Sequence, residues 1–145
     1  MAKEIKLSVT LPDGQIATRT TARAYTHVVI GQRDVALERS QAMSLRADLD
    51  ADNHAFYRKE VAAGQRDTNT SEETWAAWTQ YAAMTVGEYR TFEVERRLAK
   101  IKDEYGTVDV GAWTCLQWSG SEKNASEALG SFRKRGWINV QVLAI

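Results

Sequence analysis

The amino-acid sequence predicts an α+β fold, with a mixed or antiparallel sheet of about five strands in the order βββ-αα-β-α-β. Three observations support this class. Apolar and polar residues alternate over 5–11, as in a half-buried strand. A helical period follows from about 34 to 105, and strand-like patterning then returns. We therefore expect a single domain, residues 1–145, in which a long helical hairpin (about 34–105) is inserted between strands three and four.

The first three strands are predicted within the N-terminal region. Alternating apolar residues indicate the first strand: Ile5, Leu7, Val9 and Leu11. Residues 12–14 (Pro-Asp-Gly) are typical of a hairpin turn, because Pro presets φ, Asp can bond its own backbone and Gly accepts a positive φ. The second strand is predicted near 15–20 and the third at 25–30. One strand through both would be unusually long, so we expect a bend or bulge around Thr20–Ala22.

Two long helices joined by a polar loop are predicted next. In the first helix, five apolar residues fall on one face: Val35, Ala42, Leu45, Leu49 and Phe56. The run 48–53 has poor helix propensity, so a kink or break is expected there. Gly64 and residues 67–70 predict the loop, and Thr70 with Glu73 predicts a capping box. The second helix is expected to continue to about Tyr105, with Gly106 as its terminating residue.

The C-terminal region is predicted to contain a strand, a helix and a final strand. Residues 113–118 are rich in β-favouring side chains. Ser119 or Ser121 can cap a helix whose apolar residues have core spacing: Ala125, Ala128, Leu129 and Phe132. Alternating apolar residues over 138–144 then predict the last strand.

Composition limits the class of protein. Nineteen Lys and Arg residues balance nineteen Asp and Glu residues, so the overall charge gives no general affinity for nucleic acid or membranes. The single cysteine, Cys115, excludes an intramolecular disulfide and a multi-cysteine metal site. The chain shows neither a secretory signal at its start nor an apolar run of membrane-spanning length, so we expect a cytoplasmic protein. No P-loop or GxGxxG motif occurs, and the sequence implies no cofactor.

The segment 19-RTTARAYTH-27 is the strongest candidate for a binding site. In an extended chain, four of its side chains project to the same face: Arg19, Arg23, Tyr25 and His27. Two guanidinium groups, a phenol and an imidazole could bind an anion such as a phosphate, and His27 could transfer a proton near neutral pH. The competing interpretation is an ordinary strand with a polar face. It is favoured, because the shared face requires an unbroken strand.

Two further features predict no chemistry. The aspartates of residues 48–52 resemble the start of a calcium-binding EF-hand loop, but Asn53 and Lys59 occupy the positions that require Gly and Glu. We therefore predict a solvated acidic helix edge and no metal site. Cys115 lies among aromatic and aliphatic residues and is expected to be a buried thiol with a raised pKa rather than a nucleophile.

The second predicted helix carries more aromatic surface than one side of a small sheet needs. The interface candidates are Trp75, Trp78, Tyr81 and Tyr89. Tryptophan and tyrosine are enriched among interface anchors. The alternative is that these residues pack within the chain, on the other helix and the sheet. Homo-oligomerisation or docking onto a partner protein would bury any apolar surface that remains.

The segment 19-RTTARAYTHVVI-30 resembles a pattern, R-x-T/S-x-R-x-Y-T-H-V/A-V-V, near the start of small open reading frames in tailed phages of actinobacteria. The segment 113-WTCLQWSGSEKNASEAL-129, followed by a valine-rich strand, is similar in style to their chain ends. The resemblance covers both ends of the chain and not the helical middle. It implies a viral accessory protein in the bacterial host cytoplasm, and such proteins often act by binding.

Three functions follow in order of preference. The first is a non-enzymatic phage accessory protein that binds a host or phage protein and is itself oligomeric. The second is a nucleotide or nucleic-acid binding module that uses the basic strand, Arg19, Arg23, Tyr25 and His27. The third is a small phosphodiesterase-like enzyme with His27 as acid or base, which requires a second titratable group beside the reacting atom.

Overall fold

A computed structural model describes residues 3–44, 46–64 and 69–145. Its elements are β1 (Ile5–Thr10), β2 (Ile16–Thr21), β3 (His27–Arg33), α1 (Val35–Ser44), α2 (Ala47–Ala63), α3 (Glu72–Ala83), α4 (Val86–Tyr105), β4 (Thr114–Ser119), α5 (Glu122–Lys134) and β5 (Trp137–Ala144). The α+β class is as predicted. The chain divides into two compact units. We call them the strand unit (up to Ala36 and from Val108 onward) and the helical unit (Leu37–Thr107).

The strands form two antiparallel sheets, so the prediction of one five-stranded sheet was wrong. β1 pairs with β2, and β3 lies between β4 and β5 in a separate three-stranded sheet. The chain leaves the extended conformation directly after Thr21, whose Oγ1 accepts a hydrogen bond from the Arg23 backbone N–H at 3.0 Å. This turn confirms the expected bend around Thr20–Ala22, and it separates β2 from β3 completely.

The core of the strand unit lies on both faces of the three-stranded sheet. On one face, residues of β3 pack with the apolar side of the β1–β2 hairpin: Val28, Ile30, Val9 and Leu11. On the other face, residues of β3 and β5 pack against α5: Val29, Val140, Ala125 and Phe132. Side chains alternate along a strand, so the run 28–30 serves both faces. Each such aliphatic burial contributes about 1.5–3 kcal/mol.

In the described part of the helical unit the chain forms α1, α2, α3 and α4, where a two-helix hairpin was predicted. The second predicted helix is interrupted at Met84 and Thr85. There the Glu88 backbone N–H donates to Thr85 Oγ1 and the Thr85 backbone N–H donates to Glu88 Oε1, each at 3.1 Å. This reciprocal capping box starts α4. The capping box predicted at Thr70 is not the one formed, because Ser71 is the N-cap of α3.

The first predicted helix also differs from expectation. α1 ends at Ser44 and α2 begins at Ala47, so the run 48–53 lies inside α2 and not at the break. Gly64 ends α2 in the left-handed conformation, with φ of 69°. Leu45 of the predicted stripe, and residues 67–68 of the predicted loop, lie outside the described residues.

The predicted apolar face of α2 is largely exposed to solvent. Leu49 and Phe56 are 46% and 48% exposed, whereas the buried residues of α2 are Asp50 and His54. A helix that buries polar side chains requires partners for them. Those partners define the candidate site.

Candidate functional site

Two of the four predicted site residues meet on one side of the three-stranded sheet. Arg19 lies opposite Leu7 in the β1–β2 pair, and its Cζ is 4.9 Å from the centroid of the Tyr25 ring. Tyr25 packs in turn against Trp118 of β4, with ring centroids 6.4 Å apart. The contact between Arg19 and Tyr25 is a cation–π interaction.

The other two residues do not join this pair. Along β3 the side chains alternate, so His27 lies on the face of Val29, which packs with α5. Trp118, the neighbour of Tyr25, packs on the opposite face. His27 Nδ1 lies 2.8 Å from Thr26 Oγ1, and Arg23 is exposed in the turn that follows β2.

The single polar face on which the anion-binding prediction depended is therefore not formed. The physical reason is the turn after Thr21, which contains Arg23 and changes the direction of the chain between Arg19 on β2 and His27 on β3. A role for any of these side chains in binding a nucleotide, or for His27 in phosphodiester cleavage, remains a prediction.

The predicted interface residues belong to an aromatic cluster that joins three helices of the helical unit. Its rings are Phe56, Tyr57, Trp75, Trp78, Tyr81, Tyr89 and Phe92. Neighbouring centroids are 5.2 to 6.1 Å apart, within the range that favours aromatic pairs. Tyr89 is buried, while Trp75, Trp78 and Tyr81 are half-buried. Packing within the chain thus explains most of this cluster and leaves one edge open.

A buried ion-pair cluster was not anticipated. Asp50 is only 2% exposed, so the prediction of a solvated acidic edge was wrong at this residue. Arg97 donates from Nη1 to Asp50 Oδ1 at 3.0 Å and from Nη2 to Oδ2 at 2.6 Å. Arg90 also donates from Nη1 to Asp50 Oδ2, and from Nη2 to the Met43 carbonyl at 2.7 Å. The two arginines lie two turns apart on α4 and therefore on one face.

The ionisation of Asp50 follows from these contacts. Burial alone would raise the pKa of the carboxyl group, but the hydrogen bonds and charges of Arg97 and Arg90 together outweigh burial. They hold the pKa of Asp50 below its ordinary value of 3.8. Asp50 is therefore an anion at neutral pH, and it accepts one guanidinium hydrogen bond at Oδ1 and two at Oδ2.

A second polar contact connects α2 to the break between α3 and α4. His54, which is 3% exposed, lies with Nε2 2.8 Å from the Met84 carbonyl. A carbonyl can only accept, so Nε2 carries the hydrogen. The imidazole stacks on Tyr89 with centroids 5.3 Å apart. Burial, and the nearby charge of Glu93, raise the pKa of Tyr89 well above its ordinary value, so its hydroxyl stays protonated.

A cleft of about 610 Å³ opens beside Asp50 between α1, α2 and α4. Its charged lining consists of Arg46, Arg96, Arg97, Lys100, Glu38, Asp50 and Glu93. Arg96 pairs with Glu93 through Nη2 to Oε2 at 2.7 Å and Nε to Oε1 at 3.2 Å. Asp50 and Glu93 are thus both engaged by arginines. This arrangement suits the binding of a polar ligand better than proton transfer by either carboxylate.

Sequence reasoning missed this site because its signals are weak. Asp50 lies in a run of aspartates that is typical of an exposed helix edge, and its arginine partners are 40 and 47 residues away. The available signal was the spacing of Arg90 and Arg97 on one helical face. A pair of cations on the buried side of an amphipathic helix requires an anionic partner.

The remaining sequence candidates can be placed briefly. Cys115 is half-buried on β4, and burial raises the pKa of its thiol more than the charge of Arg19 lowers it. Within residues 3–44, 46–64 and 69–145, no three His, Cys, Asp or Glu side chains are grouped to hold a metal ion. No helix in those ranges combines the length and apolarity needed to cross a bilayer.

Comparisons with known proteins identified no matching family model, no similar curated protein and no similar solved structure.

Proposed function

We propose that the chain is a non-enzymatic accessory protein that acts by protein–protein interaction and self-associates through the open edge of its aromatic cluster. This edge, which we call the aromatic patch, consists of Phe56, Trp75 and Trp78. Phe56 is 48% exposed, and its ring contacts the half-buried Trp78 at a centroid distance of 5.5 Å. The proposal rests mainly on this exposed Phe56 ring, which lies beside Trp78.

Physical chemistry supports association at such a surface. Large aromatic side chains bury 150–250 Å² each, and removing apolar surface from water contributes roughly 25 cal/mol per Å². Tryptophan and tyrosine are enriched among the few residues that contribute most of the binding energy of known interfaces. The formal net charge of zero means that two copies of the chain do not repel each other strongly. A second copy is therefore the first partner to test.

The resemblance at the chain ends supports the biological setting of the proposal. It implies a phage-encoded accessory protein in the bacterial host cytoplasm, whose further partner is a host or phage protein. The aromatic patch is the surface on which that partner would compete with a second copy.

Sedimentation of the wild type and two variants tests the proposal. Phe56→Ser removes the exposed ring, and we expect the wild-type oligomer to dissociate to a monomer at the same concentration. Ile16→Thr is the matched control, because Ile16 is 66% exposed on β2 and is not part of the aromatic cluster. Circular dichroism checks that both variants are folded. A wild type that is monomeric at its highest soluble concentration, or an Ile16→Thr variant that also dissociates, would contradict the proposal.

A further inference from the structure

We propose that the cleft between α1, α2 and α4 binds a small organic monoanion, namely a carboxylate that carries a short apolar chain. The cleft is lined by other residues than the aromatic patch. The inference therefore goes beyond the proposed function and does not depend on it.

The first observation is a buried donor with no acceptor. Arg97 lines the cleft and uses both of its terminal nitrogens on Asp50. Its Nε lies at the other end of the guanidinium, is buried, and has no hydrogen-bond partner within the described residues. Buried N–H groups are nearly always paired in proteins. The Arg97 side chain is 16% exposed, so a small displacement of the groups that cover Nε would let a ligand oxygen supply the acceptor and receive a charge-assisted hydrogen bond.

The second observation is the balance of charge around that donor. Asp50 is held by two arginines, Arg90 and Arg97, so this group of three carries one excess positive charge. Arg46 and Lys100 also line the cleft, and their side chains make no hydrogen bond or ion pair among residues 3–44, 46–64 and 69–145. The cleft can therefore compensate an anion.

The same lining limits how much negative charge the ligand can carry. Glu38, Asp50 and Glu93 all line the cleft, so a phosphate dianion bound there would be repelled by three carboxylates. The four cations and three carboxylates that line the cleft leave an excess of one positive charge, which a single carboxylate matches. A carboxylate also has the planar pair of oxygens that a guanidinium edge recognises.

The third observation is the apolar part of the lining. Ala42, Leu49 and Ile101 border the cleft, and Leu49 is 46% exposed. The volume of about 610 Å³ falls within the roughly 300–1,000 Å³ of typical small-molecule sites. An alkyl chain attached to the carboxylate would cover Leu49 while the head group reaches Arg97.

An NMR titration of the full chain tests this proposal. Hexanoate is the probe. Acetate, which lacks the longer alkyl chain, tests the contribution of the apolar lining, and inorganic phosphate tests the limit on negative charge. All three are added at constant ionic strength. With hexanoate we expect saturable shifts of the Arg97 Nε–H resonance and of the Leu49 methyl groups. Acetate should bind more weakly than hexanoate, because it cannot cover Leu49.

Two pairs of exposed variants separate a site from general charge. Lys100→Ala or Arg46→Ala should weaken hexanoate binding about tenfold, since each removes one charge-assisted contact. Lys102→Ala on α4 and Arg58→Ala on α2 are matched controls outside the cleft and should bind like the wild type. These four changes leave the pairing of Asp50 intact, so the fold is retained.

Three results would overturn the inference. The first is an Arg97 Nε–H resonance that hexanoate does not shift saturably. The second is equal binding by the Lys100→Ala and Lys102→Ala variants. The third is phosphate binding as tight as that of hexanoate.

Discussion

The two units of the chain are stabilised by different kinds of core. In the strand unit, Val28, Val29 and Ile30 are fully buried and pack against aliphatic and aromatic side chains on both faces of the sheet. In the helical unit, the buried positions include Asp50, His54 and Glu93 beside Tyr89. The strand unit depends on burial of apolar area. The helical unit depends in addition on the pairing of charges and hydrogen bonds.

This difference determines how each unit should respond to mutation. An apolar core loses stability in proportion to the atoms removed and the cavity left behind. A buried ion pair contributes little net stability relative to an apolar core, but the loss of one partner leaves the other charge without compensation. We therefore expect small losses from small changes in the strand unit and large losses from single charge deletions in the helical unit.

Replacement of Asp50 should have the largest effect. Asp50→Ala leaves the guanidinium groups of Arg90 and Arg97 facing each other, and we expect a loss of about 3 kcal/mol in the free energy of unfolding. This is the lower end of the usual range, because the two arginine side chains are 23% and 16% exposed and can recruit water. Urea denaturation measures the loss. Hydrogen exchange should show that it lies in the helical unit.

Asp52→Ala is the control for this substitution. Asp52 lies on the same helix two residues away and is exposed, so its removal should change stability by no more than about 0.5 kcal/mol. Equal effects of the two substitutions would mean that the pairing of Asp50 does not stabilise the helical unit.

A small change in the strand unit should have a smaller effect. Ile30→Val removes one methylene from the fully buried side of β3 that faces the hairpin, and we expect a loss of about 1 kcal/mol. The same substitution at the exposed Ile16 should be nearly neutral. If Ile30→Val destabilised the chain more than Asp50→Ala in urea denaturation, the contrast between the two cores would be wrong.

The effect of pH on stability should also differ between the cores of the two units. The pKa of Asp50 in the folded chain is below its ordinary value of 3.8, so the unfolded state takes up this proton first on acidification. The stability that Asp50 contributes is complete above that value and is lost as the pH falls through the folded pKa. The stability gap between the wild type and Asp50→Asn should thus be constant from about pH 7 to 5 and narrow below about pH 4.

This gap is measured by urea denaturation across the acid range. Ile30→Val supplies the comparison, because the loss of a methylene involves no proton and its gap from the wild type should not vary with pH. A gap for Asp50→Asn that widens on acidification would contradict the assigned direction of the pKa shift.

The individual strands and turns of the strand unit could be predicted from sequence, although their division into two sheets could not. The alternation of residues 5–11 and the Pro-Asp-Gly turn act over a few neighbouring residues. The structure shows the hairpin they imply, with Gly14 at a φ of 89° and Asp13 Oδ1 accepting from the Gln15 backbone N–H. Ser121 caps α5, one of the two serines expected there.

The helical unit was harder to predict because its features depend on distant residues. Nothing local to Asp50 shows that two arginines from α4 approach it. The break at Thr85 did have a local signal, the T-x-x-E pattern of Thr85 and Glu88. It was outweighed by the continuous helical period on either side. The bend between β2 and β3 could be predicted from the length of the segment alone. The sheet faces on which Tyr25 and His27 lie could not, because they depend on packing against β4 and α5.

The pairing of Arg90 and Arg97 with Asp50 also limits where residues can be inserted into or deleted from this chain. Inserting one residue in α4 between Arg90 and Arg97 would rotate one guanidinium by about 100° around the helix axis and move it 1.5 Å along it. The two guanidinium groups could then no longer bind Asp50 at the same time. Insertions and deletions should therefore be tolerated in the segments between helices and should destabilise the chain between these two arginines. The pairing with Asp50 thus fixes the alignment of α2 with α4.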